Sequence, residues 1–140
     1  MDSILKKVNQ NIPEILKNYK NIAIVGISQK PDRPSNNVAG YLKHAGYNII
    51  PINPVYDEVH GAKCYPSLKD ADQQVDVVVI FRRPEDIPPI AKAAVEIGAK
   101  AIWIQQGLVS EEAAKIALEA GLDVVMDKCM KVEHMRRGIK

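Results

Sequence analysis

A chain of 140 residues is enough for one domain, and such a domain buries about two-thirds of its unfolded surface without a metal or disulfide staple. Hydrophobic residues make up 46% and aromatics only 5%, so the core must be built mainly from Ile, Val, Leu and Ala, as in parallel α/β sheets. The formal net charge of +2 gives no ground for a nucleic-acid or acidic-membrane surface and leaves a small molecule as the expected partner, with no protein partner or homo-oligomer specified.

At the N-terminus, Ile4, Leu5, Val8, Ile12, Ile15, Leu16 and Tyr19 recur at helical spacing, and Asp2 or Ser3 can cap the start. Pro13 interrupts this run, which predicts a kink or two short helices in a lead-in element covering part of a sheet. Lys6, Lys7, Glu14 and Lys17 break any signal-peptide core. No stretch approaches the roughly 18 apolar residues of a bilayer span. The expectation is a cytoplasmic protein with Cys64 and Cys129 as free thiols. Neither cysteine sits in a C-x-x-C pair, so zinc and thioredoxin-type readings fall away.

A regular alternation follows. Residues 21–26 read as a buried strand, 36–45 as a helix stopped by Gly46, and 48–53 as the second strand. A loop with Pro54, Gly61 and Pro66 leads to a short helix near Ser67. Residues 75–81 form the third strand, 84–97 a helix ended by Gly98, and 101–105 the fourth strand. A helix over 110–120 opens on Ser110 with a weak capping box, since Ala113 stands at its third position, and stops at Gly121. Residues 123–126 are the fifth strand, and 132–137 a last helical turn or two. Strands alternating with helices imply right-handed βαβ units. The predicted fold is α/β: a doubly wound, five-stranded parallel sheet of Rossmann-like type, one domain over 1–140.

Ligands of open α/β sheets bind beyond the carboxyl ends of the strands, so each strand's exit is a candidate site. The first exit is the most informative. Gly26-Ile27-Ser28 allows a tight turn and close backbone approach, Ser28 adds a hydroxyl, and Lys30 and Arg33 add charge. Pro34 follows, and Ser35 or Asn36 can start a helix whose N-terminus favours an anion. Together these residues form a phosphate cradle. The segment is not G-x-G-x-x-G, nor a P-loop, and Asn53 stands where an acid would hold a ribose. That weakens NAD.

The second exit is Asn53-Pro54 and the third is Phe81-Arg82-Arg83-Pro84. Pro84 suits a first helical position, and the arginines can either grip phosphate in a forked geometry or pair with Glu85 and Asp86. Phe81 either packs on an adenine or ends its strand in the core. Gln105-Gln106-Gly107 brings two amides and a flexible backbone to the fourth exit. Cys129 at the fifth exit is read as a small buried filler, with a thiolate activated by Lys128 as the alternative. Cys64 is read as filler and His134 as structural. No G-x-S-x-G, H-E-x-x-H or acid pair supplies a catalytic set.

In order and spacing these exits resemble the stand-alone bacterial and archaeal CoA-binding proteins, a group related to the CoA-binding domain of succinyl-CoA synthetase alpha subunits. The likeness rests on residues 25–28, 30–35, 51–54, 81–84, 102–107 and 126–130, and spans about 19–137. It implies a Rossmann-like fold with coenzyme A across the carboxyl edge. Gly26, Ser28, Lys30 and Arg33 would hold the phosphates of its 3′-phospho-ADP part, and Asn53, Arg82, Arg83 and Pro84 would border adenine and ribose. The synthetase carries its phosphorylated histidine in a later domain, and that role is not carried over. The expected function is binding of CoA or an acyl-CoA without catalysis. The alternatives are an NAD(P)- or other nucleotide-dependent oxidoreductase or transferase, and a thiol redox module acting through Cys129.

Overall fold

The computed structural model describes residues 3–139. A 3₁₀ turn, Ser3–Lys7, precedes α1 (Ile12–Asn18), β1 (Asn21–Val25), α2 (Pro34–His44) and β2 (Asn48–Ile52). Next come β3 (Glu58–Val59) and β4 (Ala62–Lys63), a 3₁₀ turn over Leu68–Asp70, β5 (Val77–Ile80) and a 3₁₀ turn over Pro84–Asp86. The chain finishes with α3 (Ile87–Glu96), β6 (Ala101–Ile104), α4 (Glu111–Glu119), β7 (Asp123–Met126) and α5 (Met130–Arg137).

The main sheet has five strands, all parallel, in the order β2-β1-β5-β6-β7. The chain winds outward from β1 to β2, then crosses back to β5, so the topological switch lies between β1 and β5. Both faces are covered. Ile22 and Ile24 of β1 point into a cluster with Ile15 and Leu16 of α1, Val38 and Leu42 of α2 and Met130 of α5. Ala23 and Val25 point into the opposite cluster, with Ile87 and Ala91 of α3 and Ala114 and Ala117 of α4. This is why the strands are apolar throughout: a period-two chain covered on both sides has no wet face. Trp103 is fully buried, and its indole N–H donates to Lys128 O at 2.9 Å.

Several boundaries depart from the sequence expectation, each for a local reason. The lead-in does form two short helices, but the break falls around Asn9, whose φ is 65°, and not at Pro13. Pro13 sits in the first turn of α1, where its missing N–H costs nothing. The cap expected of Asp2 lies outside the described residues. Pro34 opens α2 with Arg33 as N-cap, so the helix starts before Ser35. Pro88 and Pro89 likewise open α3, which splits the expected 84–97 helix into a 3₁₀ turn and an α-helix. The last helix begins at Met130, with Cys129 at its N-cap. The β3–β4 hairpin was not read from the sequence; its signal was His60-Gly61, which take φ of 53° and 75°, as a two-residue hairpin turn requires. Among the described residues no helix is long and apolar enough to cross a membrane.

Candidate functional site

The exits of all five strands of the main sheet lie along one edge, on either side of the switch point. Gly26 ends β1 with φ of 87°, its N–H donating to Ile52 O at 3.0 Å. Only glycine fits: a Cβ there would run into the carbonyl oxygen of Phe81, at the end of β5, and approach Arg82 Cδ to 2.9 Å. Asn53 ties the second exit to the first. Its Nδ2 donates to Ile27 O at 2.8 Å, while its Oδ1 accepts from Val55 N at 2.9 Å.

The loop after Gly26 is wound by its own hydroxyls and amides. Ser28 N–H donates to Ser35 Oγ at 3.0 Å, Lys30 N–H to Ser28 Oγ at 3.1 Å, and Asn36 Nδ2 to Ser28 O at 2.8 Å. These bonds carry the chain straight into α2. Among the described residues no side chain caps that helix, and Pro34 has no N–H to offer. Among the described residues no acceptor takes the Ser35 or Asn36 N–H. Uncapped N–H groups and the helix dipole make this end attractive to an anion.

Three clefts run together along this edge. One of about 400 Å³ is mostly apolar, with Ile52, Asn53, Pro54, Leu68, Ile90 and Ala93 among its walls. One of about 350 Å³ is basic, lined by Ser28, Lys30, Arg33, Pro34, Ser35 and Tyr56. The largest, about 740 Å³, lies between Val38, Phe81, Gln105, Gln106, Leu108 and Cys129, with Arg83 and Pro84 also on its walls. Gly26 borders the first two, Pro34 and Phe81 the second and third, and Arg82 the first and third, so the clefts form one continuous path.

The cations divide into two kinds. Arg82 and Arg83 both donate to Asp86 Oδ2, at 3.0 and 3.3 Å, so their charge is partly answered within the protein. Lys30 and Arg33 are exposed and, among the described residues, have no carboxylate within pairing distance. The unbalanced charge therefore sits in the basic cleft, beside the free N–H groups of α2.

Most of the residues singled out in the sequence come to this path, with two exceptions. The Ile27 side chain is fully buried in the core beneath the turn. Gly107 gives its N–H to Asp127 Oδ1 at 2.7 Å and lines none of the three clefts. Gln105 lines the third cleft, but its Oε1 accepts the first N–H of α5, Met130 N, at 3.1 Å, so half of the amide is spent on a helix start. Cys129 is not the fully buried filler expected; it is half-buried and lines the third cleft. Cys64 is buried, which pushes its thiol above the ordinary value, and its Sγ lies 3.5 Å from Asn53 O. His134 is packed edge-on between Tyr41 and Tyr47, away from the clefts. The sequence reading missed Tyr56 and Leu68. The available signal was an aromatic three residues after Asn53, in a loop read only as irregular.

The family model described as CoA binding domain matches residues 20–135. The chain is 48% identical over 123 residues to the uncharacterised Bacillus subtilis protein YneT, covering 88% of this chain and 91% of that one. It is 30% identical over 114 residues to an ADP-forming acetate–CoA ligase II of Archaeoglobus fulgidus, covering 79% of this chain but only 17% of the ligase. A solved structure of a hypothetical protein from Pyrococcus horikoshii superposes with a TM-score of 0.88 at 45% identity, covering 91% of this chain and 89% of that one. The chain belongs to the CoA-binding domain family.

Proposed function

We propose that this protein binds coenzyme A, or an acyl-CoA, along the carboxyl edge of the sheet, as a binding module without a reaction of its own. One observation carries the reading: among the described residues, Lys30 and Arg33 stand without a carboxylate partner beside the uncapped start of α2. Charge left open in a cleft, next to free N–H groups, suits phosphate. The neighbouring clefts support the choice of CoA. An apolar pocket on one side of the basic cleft suits a base, and the long groove on the other suits an extended arm. NAD fits less well, because the Asn53 amide is spent at both ends on Ile27 O and Val55 N. The ligase that shares this domain is named for a reaction on CoA.

Titration calorimetry with CoA, acetyl-CoA and NADH tests the proposal. CoA should bind, and should displace NADH if NADH binds at all. Absence of both heat and thermal shift at millimolar CoA, with the protein folded, overturns it.

A second reading is favoured by the place of Cys129 on the wall of the third cleft. The Cys129 thiolate would attack CoA disulfide, forming a protein–CoA disulfide and releasing one CoA thiol. Mass spectrometry after incubation with CoA disulfide decides it: an unmodified Cys129 ends this reading.

A further inference from the structure

We propose that Tyr56 is a ligand-contacting residue of the basic cleft, and that its phenol O–H donates to a bound phosphate oxygen. The proposal rests on the CoA reading above and deepens it by naming a donor that the sequence did not reveal. Three of the other tyrosines spend their hydroxyls inside the protein. Tyr41 meets His134 Nδ1 at 2.7 Å, Tyr47 donates to Leu16 O at 2.7 Å, and Tyr65 donates to Asp72 Oδ1 at 2.6 Å. Tyr56 is half-buried, lines the cleft that holds Lys30 and Arg33, and has no hydrogen-bond partner among the described residues.

The residue is held in place from both sides. Val55 N–H is tied to Asn53 Oδ1, and Asp57 O accepts from Cys64 N at 2.8 Å. Gln29 Nε2 donates to Glu58 O at 2.7 Å, binding this segment to the loop that carries Lys30. The Tyr56 ring packs on the core cluster under α2. The ring is therefore anchored while the hydroxyl is unspent. A partly desolvated O–H in a basic cleft gains most from an anionic acceptor.

The test is titration calorimetry on wild type, Y56F and Y56A, with CoA and with inorganic pyrophosphate, alongside thermal melts. Y56F keeps the ring and should melt like wild type. It should bind both titrants about tenfold more weakly, the size of a hydrogen bond to a charged group. Y56A should weaken CoA further by removing a wall of the cleft. Equal affinities of wild type and Y56F for both titrants overturn the assignment. Wild type that binds pyrophosphate through Tyr56 but not CoA removes the CoA reading and leaves this one standing. Wild type that binds neither overturns both.

Discussion

Gly26 and Phe81 meet backbone to backbone across the switch point, so tightly that a side chain on Gly26 would strike the Phe81 carbonyl oxygen. The contact joins β1 to β5 at the junction of all three clefts. Two penalties would fall on Gly26→Ala together: a φ of 87°, which side chains resist, and a collision with backbone that cannot swing away. We predict a loss of about 2–5 kcal/mol from strain and overpacking combined. Urea unfolding measures it, and an unchanged midpoint contradicts it.

Arg33 and Arg82 are both arginines at strand exits, and they should behave differently. Arg33 has no carboxylate partner among the described residues, whereas Arg82 donates to Asp86 Oδ2 at 3.0 Å. Arg33→Ala should leave the melting temperature almost unchanged, as exposed substitutions do. It should weaken CoA binding by about 1.5–3 kcal/mol, the worth of a hydrogen bond to a charged group. The salt dependence of binding should also become shallower. Calorimetry at two ionic strengths checks both, and full affinity in Arg33→Ala would count against a phosphate at this cleft.

The fold was legible because its signals are local and repeated. The run 77–80 is apolar on both faces, and Gly46, Gly98 and Gly121 stop helices where the sequence said they would. The candidate site was legible only as a set of exits, since parallel topology brings every strand end to one edge. What each side chain does there was less legible. Gln105 looks like a free amide in sequence, yet its Oε1 satisfies Met130 N–H, a partner 25 positions away. Arg82 and Arg83 read equally as phosphate forks or ion pairs, and the pairing with Asp86 emerges only once the 3₁₀ turn at Pro84–Asp86 has formed. Tyr56 was hidden because no periodicity marks a residue held by tethers on either side of it.

Asn9 closes the free edge of the sheet. Its Oδ1 accepts from Met126 N at 2.8 Å and its Nδ2 donates to Met126 O at 3.1 Å, so one side chain answers both edge groups of β7 at that residue. An open edge strand invites pairing with another chain. Asn9 also takes a φ of 65°, which asparagine tolerates better than most residues. Asn9→Ala should cost about 1–3 kcal/mol, from lost hydrogen bonds and added strain. Asn9→Gly removes the same bonds but relieves the strain, so the difference between the two variants reports the strain. If Asn9→Ala matches wild type in urea unfolding, the side-chain bonds to Met126 contribute nothing.

His134 on α5 and Tyr41 on α2 are joined at 2.7 Å between His134 Nδ1 and the Tyr41 hydroxyl. Burial, and then the charge of Lys20, hold His134 below the ordinary histidine value. The buried residue is thus favoured neutral in the folded state, where its ring can accept the Tyr41 hydroxyl; an imidazolium cannot. The sign follows from linkage. Above the unfolded value, near pH 6.5, neither state binds the proton and the contribution is complete. As pH falls from there toward the lowered folded value, the unfolded chain takes up the proton first, and stability is lost. Urea midpoints should therefore drop on acidification below about pH 6.5, before the carboxylates titrate. His134→Gln should flatten that part of the profile while lowering stability at neutral pH. The consequence reaches the binding edge, because α2 begins at the basic cleft and α5 begins at Cys129 on the third. A profile of the same shape in wild type and His134→Gln would show that this pair is not the source of acid sensitivity.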